Sequence, residues 1–249
     1  PQSKKHGFEK WTKNPFKENR HYPRLTCIKR QNGNLIQTIY VNIEFSIPKL
    51  IFQENASEVQ ESDFPVVIDC LQKVLCEMGE VVSRDDLINA KVITFHAGKN
   101  IQLLDGYTSG GVISELAKIN ISKKFDLTSF KFANDGKSLQ IHCISNSIAI
   151  YDKIADMNKG KKKAIDRVQT PKQFTLFTLI KEQEVAIELI RIEVRFGSKT
   201  KLNSIFKKLG IKANFVFKDI FKKDICQKIV KWYWDTLITG ENLFLFQLS

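Results

Sequence analysis

"VAIELIRIEVRF", residues 185–196, alternates from Ile190 to its end. Ile190, Ile192, Val194 and Phe196 fall on one side, and Arg191, Glu193 and Arg195 on the other. A period of two is the signature of a strand with one face in an apolar core and one face in water. The stretch "SIAIYDKIAD", residues 147–156, repeats the theme: Ile148 and Ile150 alternate with small residues before Tyr151, Asp152 and Lys153. Read as a strand throughout, it points Tyr151 and Lys153 the same way, onto the face that the isoleucines leave free.

Working outward, the same pattern recurs. "RLTCIKR" and "NLIQTIY" flank Gln31-Asn32-Gly33, and "TSFKFA" and "KSLQIHCIS" flank Asn134-Asp135-Gly136, so both pairs predict β-hairpins. "YVNIEFSI" sets Ile43, Phe45 and Ile47 against Asn42, Glu44 and Ser46, with Pro48 as its end. "AKVITFHAGKNIQL" sets Ile93 and Phe95 against Thr94 and His96. Helices are predicted from three- and four-residue apolar spacing over 63–78, with Ser62 or Asp63 as N-cap and Gly79 as terminator, and around "GVISELAKI". Two more follow, "KLNSIFKKLGI" ending at Gly210, and "DIFKKDICQKIVKWYWDTLI", with Phe221, Ile225, Ile229 and Trp232 along one side. "QFTLFTLI" fits either state.

These elements predict an α+β fold: a largely antiparallel sheet with helices on one face and an open polar face, followed by C-terminal helices. The expected organisation is a basic arm over 1–21, an α+β domain over 22–198 and a helical extension over 199–249. The chain begins at Pro1 and stops on the apolar run "ENLFLFQLS", which reads as a piece of a longer protein.

Lys and Arg outnumber Asp and Glu by 39 to 27, a formal charge of +12 that points to a polyanionic partner. No stretch has the length or pattern of a membrane span, a signal peptide or a lipid-lying basic helix, so nucleic acid is the expected polyanion and the cytoplasm the expected compartment. Cys27, Cys70, Cys76, Cys143 and Cys226 are odd in number and lack CxxC spacing, which favours reduced thiols over disulfides or a zinc knuckle.

If the strands share one sheet, its polar face gathers Glu44, His96, Tyr151, Lys153, Arg191, Glu193 and Arg195. A phenol is a poor nucleophile at neutral pH unless a cation stabilises the phenolate, and Lys153 is the neighbouring cation. Glu193 and His96 are suitable ligands for a divalent metal. Arg191 and Arg195 suit phosphate. Each residue also has an ordinary explanation. Tyr151 can pack at a strand end, His96 can be a structural histidine with His142 as its substitute, and Glu193 can belong to a surface ion-pair ladder. The run "KGKKKAIDR", with Lys161, Lys162 and Lys163, is either a solvated loop or a DNA-facing one.

In order along the chain, Tyr22-Pro23, "NIEFSIPKL", the helix at 63–78, "TFHAGKN", "SIAIYDK", "LIRIEVRF" and "FKKLGI" resemble the replication-initiator endonucleases of filamentous bacteriophages, the gene II type. More distantly they resemble the rolling-circle initiators of small plasmids. The resemblance covers most of residues 22–211. It implies that Tyr151 is the nicking nucleophile and that Glu193 is the glutamate of the Arg-x-Glu strand. It further implies a Mg2+ or Mn2+ requirement, with Glu193, His96 and Glu44 as the candidate ligands. The implied partners are origin DNA, single-stranded or supercoiled, and a host helicase and polymerase in a bacterial cytoplasm. Where the family carries an Arg-Ile-Asp signature this chain has "TFHAG", with His96 in that place. A relaxase would do the same chemistry, and a non-catalytic single-strand-binding module would use the sheet as a platform.

Overall fold

A computed structural model describes residues 8–11, 21–32, 36–157, 187–212, 214–241 and 243. The chain forms two compact units. The first comprises 1–59, 65–84 and 160–176, and the second 60–64, 85–159 and 177–249.

The first unit is built on an antiparallel sheet of β1 (Phe8–Trp11), β2 (Arg24–Asn32) and β3 (Ile36–Glu44), in that order. The hairpin predicted at Gln31-Asn32-Gly33 is present, with Asn32 opposite Ile36. Part of the expected arm is therefore a strand, since Phe8–Trp11 pairs with Leu25–Ile28. Pro48 does not end a strand. It stands in the first turn of α1 (Ile47–Phe52), where its missing N–H has no intrahelical partner to lose. The helix α2 (Phe64–Glu77) buries Val67, Ile68, Leu71, Val74 and Leu75, and Gly79 takes the left-handed φ of 87° beyond its end, before the short α3 (Arg84–Ile88).

The second unit carries a five-stranded antiparallel sheet in the order β4-β8-β7-β6-β5. Its strands are β4 (Phe95–Gln102), β5 (Leu127–Ala133), β6 (Ser138–Cys143), β7 (Asn146–Asp152) and β8 (Leu189–Phe196). The β5–β6 turn has positive φ at Asn134, Asp135 and Gly136, the conformation those residues tolerate best. Cross-strand partners share a face, so the register sorts every side chain. Leu139, Ile141, Ile148, Ile150, Ile190, Ile192, Val194 and Phe196 form one buried face.

Helices cover that face. They are α4 (Ser109–Leu116), α6 (Lys199–Lys208), α7 (Phe217–Ile220) and α8 (Lys223–Ile238), with Ile113, Leu202, Phe206, Ile220 and Ile229 in the same buried cluster. Leu202, Ile205, Phe206, Ile220, Ile225 and Ile229 of these last three helices line one wall of the core. Along α8 the buried stripe is Ile225, Ile229, Tyr233 and Leu237; Tyr233, and not the predicted Trp232, is the inward aromatic. Glu188 fixes the entry to β8 by accepting from Ser109 N at 2.8 Å and Ser109 Oγ at 2.7 Å at the start of α4. Among the described residues no helix is long and apolar enough to cross a membrane. The five cysteines are free thiols.

Candidate active site

The other face of the five-stranded sheet is polar, and the register reads across it in rows. One row is Asn100, Arg191, Tyr151, Ser138, the next is Gly98, Glu193, Ala149, Gln140, and the third is His96, Arg195, Ser147, His142. Glu193 is the centre. Its Oε2 accepts from Tyr151 OH at 3.0 Å and Arg191 Nε at 3.3 Å, and its Oε1 accepts from Arg195 Nε at 2.9 Å. His96 Nδ1 approaches Oε1 to 3.3 Å.

This cluster is a consequence of strand geometry. Side chains at i and i+2 on β8 lie on one face about 7 Å apart, so Arg191 and Arg195 both reach back to the carboxylate between them. Ala149, opposite Glu193, is too small to obstruct Tyr151 from crossing diagonally to the same carboxylate. Burial opposes the charge on Glu193. The His96 contact and the two guanidiniums outweigh it and hold the carboxyl well below the usual carboxylate range. The same carboxylate acts on its neighbours in the opposite sense. Burial first, and then the negative charge of Glu193, push the Tyr151 phenol well above its ordinary value. Desolvation disfavours the Arg195 charge, but Glu193 more than compensates and raises its pKa.

Two of the expected residues stand elsewhere. Lys153 does not share the face of Tyr151, because the strand ends at Asp152 and Lys153 opens α5 (Lys153–Met157). Asp152 Oδ1 accepts from Ala155 N at 2.8 Å, an N-cap that starts the helix there and ends the two-residue period. Lys153 is 2% exposed, so it is no solvated cation beside the phenol. Met157 of α5 is buried yet lies outside the core cluster, and the Asp156 charge acts on both Tyr151 and Arg195. The short helix therefore lies over the polar face, which is only partly open.

Glu44 is the second correction. It ends β3 in the first unit's sheet, where Arg24, opposite it, donates from Nη1 at 3.5 Å. The assumption that all polar strands share one sheet fails there. Of the two histidines, His96 contacts the carboxylate. His142 sits two strands beyond Arg195 in the third row, roughly 10 Å away at ~4.8 Å per strand. Lys161, Lys162 and Lys163 lie outside the described residues.

Asn100 and Gly98 were not singled out from the sequence. Asn100 Oδ1 accepts from Arg191 Nη1 at 3.0 Å. A Cβ on Gly98 would stand 2.7 Å from Arg191 Nη2 and 3.0 Å from its Cζ. A glycine inside the strand pattern "TFHAGKN" was the available signal, since such a glycine marks a close approach.

Of the three expected Mg2+ or Mn2+ ligands, Glu193 and His96 stand in contact on this face. Glu44 belongs to the other sheet, and each Glu193 oxygen already faces two nitrogen or oxygen partners. Two guanidiniums within hydrogen-bond distance also oppose a divalent cation at that carboxylate. With their polar atoms turned to one another, the described residues as arranged do not fit such an ion. What they offer is a phenol, a fixed carboxylate and two arginine forks on one polar surface.

No protein-family model, curated protein or solved structure matches this chain.

Proposed function

We propose that the protein nicks and rejoins one DNA strand with Tyr151 as nucleophile, in the manner of the rolling-circle initiators that its motifs resemble. The observation that carries this reading is the convergence of Tyr151, Arg191 and Arg195 on Glu193 at 2.9 to 3.3 Å on a partly covered polar face. The phenol oxygen would attack a backbone phosphorus. A P–O bond to the 5′ side of the chain forms and the 3′ oxygen leaves with a proton, giving a 5′-phosphotyrosine and a 3′-hydroxyl. Reversal of that step rejoins a strand.

Each group has a physical task in this scheme. Arg191 and Arg195 neutralise charge on the phosphate, and Glu193 keeps the two guanidiniums and the phenol in place. Glu193 is a weak base because its carboxyl is held low, so it orients the phenol more than it deprotonates it. A bound phosphate would compete for the arginines and loosen the Tyr151–Glu193 bond. The net charge of +12 supports origin DNA as the partner, with a host helicase and polymerase acting after the nick. A relaxase role uses the same chemistry.

The runner-up is a non-catalytic single-strand-binding module. One feature favours it: burial and the Glu193 charge raise the Tyr151 phenol, the opposite direction from an activated nucleophile. Incubation with end-labelled single-stranded DNA, with manganese and with EDTA, separates the readings on a denaturing gel. A covalent protein–DNA adduct that Tyr151→Phe abolishes supports nicking, and its dependence on manganese tests the metal requirement. DNA retention without any adduct supports the binding module.

A further inference from the structure

Arg191 is held at both ends of its guanidinium. Its Nε donates to Glu193 and its Nη1 to Asn100, and it lies across the backbone of Gly98, with Nη2 2.7 Å from where a Cβ would be. Of the five guanidinium N–H groups these bonds use two, and among the described residues the other three have no protein partner. Arg195 likewise gives its Nε to Glu193 and keeps both terminal NH2 groups uncommitted among the described residues. The side chains are 20% and 39% exposed, so a solute can reach them. Two cations thus share one buried carboxylate through Nε and leave their forks unsatisfied. Against Glu193 alone the two guanidiniums carry one surplus positive charge, which the nearby Asp156 partly offsets, and they present a set of donors suited to a tetrahedral oxyanion.

We propose that Gly98 and Asn100 are positioning residues, which lay the Arg191 guanidinium flat along β4 so that it forms, with Arg195, a two-fork cradle for a single phosphate group. The proposal deepens the nicking reading and rests on it for the identity of the phosphate as one of a DNA backbone. Gly98 acts by what it lacks. Any side chain there occupies the space of Cζ and Nη2, and because those atoms are the tip of a flexible chain, the arginine moves and the strand stays. The other near atom, Ile192 O at 3.2 Å, asks only a small adjustment of the ladder. Asn100 fixes the remaining rotation by accepting from Nη1, a task that an aspartate oxygen can also perform and an alanine cannot.

The test follows the side-chain Nε–Hε NMR signals of Arg191 and Arg195 in labelled protein, assigned with Arg191→Lys and Arg195→Lys, as inorganic phosphate is added. In the unmodified protein both signals should shift saturably. Gly98→Ala and Asn100→Ala should weaken the Arg191 response roughly tenfold, the worth of one charge-assisted hydrogen bond, while Arg195 still titrates. Asn100→Asp should restore the Arg191 response. Melting temperatures within a few degrees of the unmodified protein would separate positioning from unfolding, and Asn100→Ala carries the test if Gly98→Ala does not fold. No saturable shift in the unmodified protein, or an unchanged Arg191 response in both alanine variants, overturns the cradle. A cradle that behaves as described in a protein forming no DNA adduct overturns the nicking reading alone. An adduct formed equally well by Gly98→Ala, with unchanged phosphate response, overturns the cradle alone.

Discussion

Tyr151 and Glu193 are joined by a 3.0 Å hydrogen bond that runs diagonally across the β7–β8 ladder, since the residue directly opposite Tyr151 is Arg191. The bond therefore depends on the β7–β8 register and on the small Ala149 opposite Glu193, which leaves the diagonal clear. Replacing Tyr151 with phenylalanine removes the hydroxyl and leaves the ring and the cationic face. DNA affinity should stay within about twofold, stability should fall by about 1 kcal/mol for the lost hydrogen bond, and the covalent adduct should disappear. Gel-shift titration, urea unfolding and the denaturing gel read the three quantities separately. Adduct formation at full rate in Tyr151→Phe would move the nucleophile to another tyrosine, with Tyr107 and Tyr40 next in line.

Glu193→Gln keeps the shape of the hub and deletes its charge. Two guanidiniums then share a site without a counterion, and the expected cost is about 1–3 kcal/mol, toward the lower end because Arg195 is 39% exposed and water screens it. The folded-state carboxyl lies below the usual range, so its contribution is present above the ordinary carboxylate pKa of about 4.3 and is lost as the pH falls through the folded value. The difference between the two proteins in urea should thus be flat from neutral pH to about pH 5.5 and shrink only below that. A difference that grows on acidification would mean that Glu193 is not held ionised. His96→Ala, removing one of four partners, should weaken the adduct-forming activity less than Glu193→Gln does.

The raised Tyr151 phenol makes a second statement about pH. If phenolate is the attacking species, adduct formation should climb steadily between pH 7 and about pH 10 without reaching a plateau, because the group is still protonated there. Stability runs the other way. The folded protein keeps the protons of Tyr151 and Tyr233 while the unfolded chain loses its own near pH 10, so the stability they contribute is present below that pH and lost as it rises. A single-turnover rate that levels off near pH 8 would show that bound DNA has already lowered the phenol, with the arginines as the nearest cause.

The strands and the polar face were legible because alternation is a local signal: Ile190 to Phe196 and Ile148 to Ile150 declare their faces without tertiary information. That is why Tyr151, Glu193, Arg191, Arg195 and His96 fall together as expected. Membership of a sheet is not local. Glu44 alternates just as convincingly as Glu193, yet nothing in its own strand tells that β3 pairs within a separate three-stranded sheet. Lys153 failed for a different reason, as the Asp152 cap converts the strand to helix in one residue and cancels the period. Gly98 and Asn100 act through the guanidinium of a residue distant in sequence, so only the β4–β8 register reveals them.

Ile229 tests whether the C-terminal helices are part of the fold. It is fully buried in the cluster beneath the sheet, whereas Trp232 one turn on is only partly buried, with Lys208 Nζ 4.4 Å above its ring. Ile229→Ala should cost about 2–4 kcal/mol through lost burial and the cavity left behind. Equilibrium unfolding in urea should show one lowered midpoint with the slope unchanged. A cost under about 0.5 kcal/mol would mean that α8 is only loosely held on the sheet.

Lys161, Lys162 and Lys163 provide the last test, an electrostatic one. They form three adjacent cations a few residues beyond Tyr151, with no apolar period among them. Groups of this kind act on DNA through counterion release and contribute little to bond making. Changing all three to alanine should weaken binding by a similar factor on unrelated sequences. It should also flatten the plot of log affinity against log salt by up to about three contacts' worth, at ~0.7 to 0.9 per contact. At saturating DNA the adduct should form at the unmodified rate, since the proposed cradle of Arg191 and Arg195 is left intact. An unchanged salt slope would make the run a solvated loop with no part in DNA binding. Loss of the adduct at saturation would instead bring one of these lysines to the reacting phosphate, as the cation that Lys153, buried at the start of α5, does not supply.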